Sequence, residues 1–310
     1  MTSIAPASRA GAFASGPIRI GVDLGGSKIE AVALAADGTV AWRERVPTPS
    51  TSANDIYDAI AGLVKRCEAT LTATASVGIG TPGSLSPKTG LLRGSNTVVL
   101  NGQPVKQAME ARLKRDVRMA NDANCFALSE AVDGAGKGAA GVFGVILGTG
   151  VGGGVVINGQ IVSGLHSIAG EWGHNPLPWP TADESPGTRC HCGKHGCIET
   201  WLSGPAIATH FAAGGTPTQE IVQRAAAGDA AAEAYLQRVE DRLARALATI
   251  INVLDPQVIV LGGGVSNIAR LYENVPRLLP KYVFSEFVAT KIVRNVHGDA
   301  SGVRGAAWLW

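Results

Sequence analysis

The chain has 310 residues, of which 45% are hydrophobic and 17% charged, with a formal net charge of +2. That balance offers no basic field for nucleic acid and no acidic tail for a partner, while the length can bury a full core without disulfides. No apolar run reaches the roughly 18 residues of a membrane helix, and the odd cysteine total, with three thiols beside histidines, fits metal in a reducing compartment. A soluble, cytoplasmic protein is expected. Residues 1–17 (MTSIAPASRAGAFASGP) are small and polar with no apolar h-region, and read as a disordered tail.

Ile18–Leu24 is a β-rich run broken by Gly25-Gly26, resumed over Ile29–Leu34, turned again at Ala36-Asp37-Gly38 and continued over Thr39–Val46. This predicts an antiparallel meander, not a βαβ unit. Apolar residues at helical spacing from Ile56 to Leu71 predict a helix over 54–71. Val77–Gly80 reads as a buried strand leading into Thr81-Pro82-Gly83-Ser84 and a loop through Asn96. Pro104 then opens a short helix, Asp116–Ala120 is a strand, and Asn121-Asp122-Ala123-Asn124 starts the next helix. The opening pattern returns about 120 residues on: strand Val142–Leu147, glycine turn Gly148–Gly153, strand Gly154–Ile157, turn Asn158-Gly159, strand Gln160–Val162. The repeat predicts a duplicated core. Leu236, Val239, Leu243, Leu247, Ile250 and Leu254 mark an amphipathic helix stopped by Asp255-Pro256. Strand Val258–Leu261, a loop Gly262-Gly263-Gly264, a helix capped by Ser266-Asn267 and an apolar C-terminal helix follow.

Three glycine clusters stand at strand ends, where backbone N–H groups can converge on phosphate. They are Gly25-Gly26-Ser27 with Lys28, Gly148-Thr149-Gly150-Val151-Gly152-Gly153, and Gly262-Gly263-Gly264. The middle cluster fits G-x-G-x-x-G, but a hairpin follows it instead of the helix that a dinucleotide fold requires. No Walker loop is present, because Gly138 and His195 follow the two Gly-Lys pairs. A two-jawed phosphate clamp is the reading that survives. Asp23, just before the first turn, is placed either to hold Mg²⁺ on phosphates or to cap the turn. Asp122, at a strand-to-helix junction, is either a helix-start carboxylate or the base that accepts a proton from an attacking hydroxyl.

Glu171–Glu199 gathers Cys190, Cys192 and Cys197 with His174, His191 and His195. That density of thiols and imidazoles points to one tetrahedral Zn²⁺ on the three cysteines, with His174, His191 or His195 as fourth ligand. Four protein ligands leave no open position, so such a zinc is structural. Glu171, His174 and Glu199 also supply acceptors and a donor for polyol hydroxyls, the alternative for His174 being a satisfied core imidazole.

These residues together resemble the ROK family of bacterial sugar kinases, within the actin/hexokinase/Hsp70-like superfamily. Asp23 to Lys28, Asn121 to Asn124, Gly148 to Gly153, Glu171-Trp172-Gly173-His174, Cys190 to Glu199 and Gly262 to Gly264 carry the resemblance, over about residues 18–310. Within the family, Thr81 to Pro87, Leu100 to Pro104, Gly170 to Trp179 and the ending His297 to Trp308 are similar to fructokinases of the manno(fructo)kinase type. N-acetylglucosamine kinases, similar over Asn121–Glu130, Gly148–Gly154 and Cys197-Ile198-Glu199, are the alternative, with glucokinase behind them. The resemblance implies an α/β, ribonuclease H-like fold of two duplicated domains around a cleft. Residues 18–120 would form a small domain joined by the C-terminal helix at about 298–310, and 121–297 a large one. It also implies ATP and Mg²⁺ as cofactors, phosphorylation of the 6-hydroxyl of D-fructose, Asp122 as base, and zinc on His174, Cys190, Cys192 and Cys197. Asn121, Glu171, His174, Glu199, Gly83, Ser84 and Asn96 would hold the sugar and the glycine turns the nucleotide, with its adenosine end near Gly262–Gly264. A homodimer is implied too. Sugar-binding repressors of the family carry a helix-turn-helix ahead of this core, for which 17 small residues are too few.

Overall fold

The computed structural model describes residues 17–212 and 214–310; apart from Pro17, the expected tail lies outside them. β1 (Arg19–Leu24), β2 (Lys28–Leu34) and β3 (Val40–Pro47) form the antiparallel meander that the first two turn signals predict. The second turn closes where the Thr39 N–H donates to the Asp37 carboxylate at 2.9 Å and Gly38 sits at φ +86°. α1 (Ala53–Leu71) starts at Ser52, whose hydroxyl oxygen accepts the Asp55 N–H at 3.2 Å, and buries Ile56, Ile60, Leu63 and Val64 against the first sheet. β4 (Ser76–Thr81), a small hairpin of β5 (Ser84–Leu85) and β6 (Leu92–Arg93), α2 (Val105–Leu113) and β7 (Val117–Asn121) follow. The first sheet runs β3-β2-β1-β4-β7, with β4 and β7 parallel to β1.

α3 (Asp122–Val132) leads into β8 (Gly141–Leu147), β9 (Val151–Ile157) and β10 (Gln160–Ile161), a second meander. The Cys/His stretch comes next, then α4 (Glu199–Leu202), α5 (Gly204–Phe211), α6 (Thr218–Ala226) and α7 (Ala230–Leu254). β11 (Val258–Gly262), α8 (Leu271–Leu278), β12 (Lys291–Arg294) and α9 (Ser301–Ala307) complete the chain. The second sheet runs β10-β9-β8-β11-β12, three antiparallel strands followed by two parallel ones. Strand for strand this is the order of the first sheet, so the repeated turn pattern in the sequence marks a repeated topology. The fold is α/β and duplicated. Each sheet has its own core, the first built on Ile20, Val22, Ile60 and Ile79, the second on Val145, Leu247, Ile259 and Leu261.

Two expected boundaries move. β9 begins at Val151, not Gly154, so Val151, Gly152 and Gly153 are strand residues and the turn shrinks to Gly148–Gly150. Ser266 and Asn267 do not cap a long helix but lie inside a 3-10 turn, Gly264–Asn267, and α8 begins later.

α3 packs on β8 and β9, and α9 packs on β1 and β4, while the two helices pack on each other. The contact is backbone on backbone: a Cβ on Gly305 would stand 1.7 Å from the Cys125 carbonyl oxygen, and one on Gly78 would stand 1.8 Å from the Ala306 carbonyl oxygen. Neither neighbour is a flexible side chain, so nothing can give way. Gly305→Ala is therefore expected to lower stability by about 3 kcal/mol or more, despite the helix propensity of alanine. Gly264→Ala, where a Cβ meets nothing within 4 Å, is expected to stay within about 0.5 kcal/mol of the parent. Thermal unfolding of the two variants checks the contrast, and equal melting temperatures would remove the contact from its place in the fold.

Candidate active site

Asp23 is the next-to-last residue of β1, and Asp122 is the first residue of α3. Burial, and then the charges of Asp122 and Glu30, push the Asp23 carboxyl up to about 6. Burial also raises Asp122, and the Glu171 carboxylate adds to it, against the N–H of Ala123 and the Asn121 side chain, which lower it. The Ala123 N–H reaches Asp122 Oδ1 at 2.8 Å and Asn121 Oδ1 at 2.9 Å, so both side chains close the start of α3. Asn121 Nδ2 donates to the Gly83 carbonyl at 3.0 Å, which fixes the loop carrying Gly83 and Ser84 beside Asp122 and leaves a second amide hydrogen of Asn121 for a ligand. Gly83 sits at φ +78°, where a Cβ would strike the Arg93 carbonyl at 2.2 Å. Asn96 lies elsewhere in this cleft: its Oδ1 is 3.7 Å from the Cβ position of Gly26, beside the first glycine turn.

The other wall comes from the second half of the chain. Glu199 opens α4; its Oε2 accepts the Val151 N–H at 2.9 Å, and its Oε1 is 3.2 Å from His191 Nδ1. Gly150 has no Cβ because one would stand 2.5 Å from Glu199 Oε2. Glu171 is exposed, at the entry of the 3-10 turn Trp172–His174.

The ligand atoms of His174, Cys190, Cys192 and Cys197 all lie within 4.8 Å of one another. Cys190 Sγ is 3.6 Å from His174 Nδ1, and Cys192 Sγ is 3.6 Å from Cys197 Sγ. A tetrahedron with Zn–S of about 2.3 Å and Zn–N of about 2.0–2.1 Å has edges of about 3.5–3.8 Å, so this set can hold a metal. Burial pushes the Cys190 and Cys197 thiols up, whereas the Lys194 N–H lowers Cys192; a bound metal has to displace those protons. A second grouping joins His174 with His191 and Glu199, and His195 belongs to neither among the described residues.

The glycine clusters divide in two. Gly25, Gly26 and Ser27 form an open turn closed by the Gly25 N–H donating to the Lys28 carbonyl at 3.0 Å, and Thr149 and Gly150 form another. Val151, Gly152 and Gly153 do not belong to a phosphate cradle. The Val151 N–H is taken by Glu199, a Cβ on Gly152 would touch Ala123, and one on Gly153 would stand 2.8 Å from Trp172 Cδ1. Gly262 likewise faces the Phe126 ring, at 2.5 Å from its Cβ position, and is a packing glycine. Gly263 and Gly264 instead edge a cavity of 440 Å³ with Ser266, Asn267, Arg294, Asn295, Val296 and Asp299. The sequence reading missed the last four as site residues; they lie about 30 residues from the glycines, and only Asp299 falls in a stretch that the resemblance picks out.

A carboxyl that binds its proton more tightly in the fold than in the unfolded chain costs stability as the pH rises between the two pKa values. For Asp23 these are about 6 and 3.8. The metal-free protein is expected to lose stability between about pH 4 and pH 6, with Asp23→Asn flattening that slope and gaining up to ~3 kcal/mol at pH 7. Denaturant midpoints across the window test it; an unchanged slope would assign the titration to another group.

Among the described residues no helix is long and apolar enough to cross a membrane. The chain is 41% identical to an N-acetyl-D-glucosamine kinase of Salmonella gallinarum, over 93% of its own length and 98% of that protein's. Its fold matches the crystal structure of a ROK hexokinase from Thermus thermophilus at a TM-score of 0.84 and 30% identity, covering 94% of this chain and 97% of that one. A ROK glucokinase from Streptomyces griseus, in complex with glucose and AMPPNP, matches at a TM-score of 0.74 and 28% identity, over 94% and 98% of the two chains. With the ROK family model matching residues 19–310, the chain belongs to the ROK family, as a sugar kinase.

Proposed function

We propose that the chain transfers the γ-phosphoryl group of ATP to the 6-hydroxyl of N-acetyl-D-glucosamine. The observation that carries the transfer is Asp122, nearly buried at the start of α3, with a raised pKa and neighbours able to hold a sugar. Oδ1 is occupied by the Ala123 N–H, so Oδ2 takes the proton as the hydroxyl oxygen attacks phosphorus. The new O–P bond forms while the bond to the bridging β-phosphate oxygen breaks, leaving ADP. A raised pKa makes Asp122 a stronger base than a surface carboxylate.

Asn121, Glu171, His174 and Glu199 would hold the sugar hydroxyls, with Gly83 and Ser84 closing the other side. Asn96, beside Gly26, would serve where sugar and phosphate meet. The turns at Gly25–Lys28 and Thr149–Gly150 would hold phosphates, Asp23 the Mg²⁺ that neutralises them, and the cavity at Gly263–Gly264 the adenosine. The sugar choice rests on the Salmonella gallinarum kinase, matched over nearly its whole length. The D-fructose expected from the motifs has no such support, and the N-acetylglucosamine alternative does.

The metal reading is one Zn²⁺ on His174, Cys190, Cys192 and Cys197, closed to water and structural. With Nδ1 towards the sulfurs, the Nε2–H of His174 is left to donate to the sugar.

Asp122→Asn is expected to cut kcat by about 10²–10⁴ with sugar affinity largely kept; near-parental turnover would remove Asp122 from the role. Among N-acetylglucosamine, glucose, mannose and fructose, kcat/KM should be highest for the first, and a panel led by fructose would overturn the sugar assignment. Metal analysis should find one zinc per chain, lost in Cys197→Ser together with sugar affinity.

A further inference from the structure

Glu130 has no part in the chemistry described above, yet it is 0% exposed and its carboxylate accepts four hydrogen bonds. Oε2 accepts the N–H of Ala135 at 3.0 Å and of Val296 at 3.1 Å; Oε1 accepts the N–H of His297 at 3.3 Å and the Ser301 hydroxyl at 2.8 Å. One of these donors, Ala135, lies in the turn just after α3. The other three are more than 160 residues away in the chain: Val296 and His297 between β12 and α9, and Ser301 at the first residue of α9. Asp133, also on this side, extends the grip: it accepts the Trp308 indole N–H at 3.1 Å, lies 2.9 Å from His297 Nε2, and pairs with Arg304.

The segment held in this way is one wall of the cavity beside Gly263 and Gly264, lined by Arg294, Asn295, Val296 and Asp299. Glu130 itself does not line it. Asp122 stands on the same helix, about 12 Å away along the axis. α3 thus carries the base at its first residue and grips the wall of the cavity two turns later. We infer that Glu130 is a positioning residue for the nucleotide, fixing the Arg294–Asp299 wall at a set distance from Asp122. A buried carboxylate suits this task because it accepts several N–H groups at once, whereas an amide presents its own donors to two of them. The inference rests on the reading that the adenosine end of ATP occupies that cavity.

The test uses the full-length, zinc-loaded protein, with KM for ATP, KM for the sugar, kcat and the dissociation constant of ADP measured for three variants. Glu130→Gln is expected to raise KM for ATP and the ADP constant about tenfold, and Ser301→Ala about two- to threefold, with KM for the sugar and kcat within about twofold. A residue that only stabilises the fold would move all of these together, or none. Gly264→Leu, which places a side chain into the cavity from a position where a Cβ meets nothing within 4 Å, should weaken ATP in the same way. If Gly264→Leu leaves ATP untouched, the cavity is not the nucleotide site and the underlying reading fails. If Gly264→Leu weakens ATP while Glu130→Gln shifts ATP and sugar alike, the positioning role is overturned and the site stands. Should Glu130→Gln not fold, Ser301→Ala decides, and an unchanged KM for ATP in that variant overturns the inference.

Discussion

The contact on which the rest depends is the meeting of α3 and α9, where the chain has no side chain between one backbone and the next. Gly305 of α9 lies against the Cys125 carbonyl of α3, and α9 meets the first sheet in the same way, with Gly78 of β4 against the Ala306 carbonyl and Gly21 of β1 against that of Val303. Close-packed interiors transmit displacement because they cannot absorb it, and a contact made of backbone alone absorbs least. It holds α3, which packs on the second sheet, against α9, which packs on the first. Asp122 opens α3 and its charge raises Asp23, while Gly302 of α9 leaves 3.7 Å between its Cβ position and Asp23 Oδ2. The helix pair therefore bears on both carboxylates, before any loop is considered.

That placement has an electrostatic cost. The charges of Asp122 and Glu30 raise Asp23, and Lys28 and Arg45, the latter paired with Glu30 at 2.7 Å, answer only part of them. Desolvation raises both aspartates. On the proposed function, a cation on nucleotide phosphates would relieve that repulsion, and Asp122 would take the proton of a sugar hydroxyl. The charge distribution would then be complementary to the loaded state. The glycine turns complete the pattern with open N–H groups at Thr149 and Gly150.

Much of this was legible in the chain. The meanders were readable because period-two strands broken by Asp-Gly and Asn-Gly turns have few alternatives, and Asn121 read as a helix cap because Asn before a helix usually is one. The bounds of the glycine clusters were not readable. Gly152, Gly153 and Gly262 look like turn residues in a list of letters, but they are small because Ala123, Trp172 and Phe126 come close from elements distant in sequence. Arg294, Asn295 and Val296 carry no pattern at all, since a cavity wall made by an irregular segment has no period, and Asp299 stands in the matched ending without a sign of its place on that wall. Glu130 was hidden for the opposite reason: inside a helix its letter reads as a surface carboxylate, and only tertiary structure surrounds it with donors.

The Cys/His stretch shows how far such a fixed frame extends and where it stops. Glu199 follows Cys197 by two residues and begins α4, so whatever fixes the thiolates fixes this carboxylate, with the Val151 N–H holding its other side. Asp122 and Glu199 thus sit on regular elements, α3 and α4, the second of them two residues from the metal-ligand cluster. Elsewhere, Arg93, from β6, donates to the His166 carbonyl at 2.5 Å, and Leu165 and Ile168, in the irregular segment after β10, stand exposed. If Asp122 is the base, the reaction rests on a residue that Asn121 and the start of α3 mark in the sequence, whereas the choice among hexoses that share a 6-hydroxyl has no residue so marked. The reaction is therefore far easier to read from this sequence than the sugar.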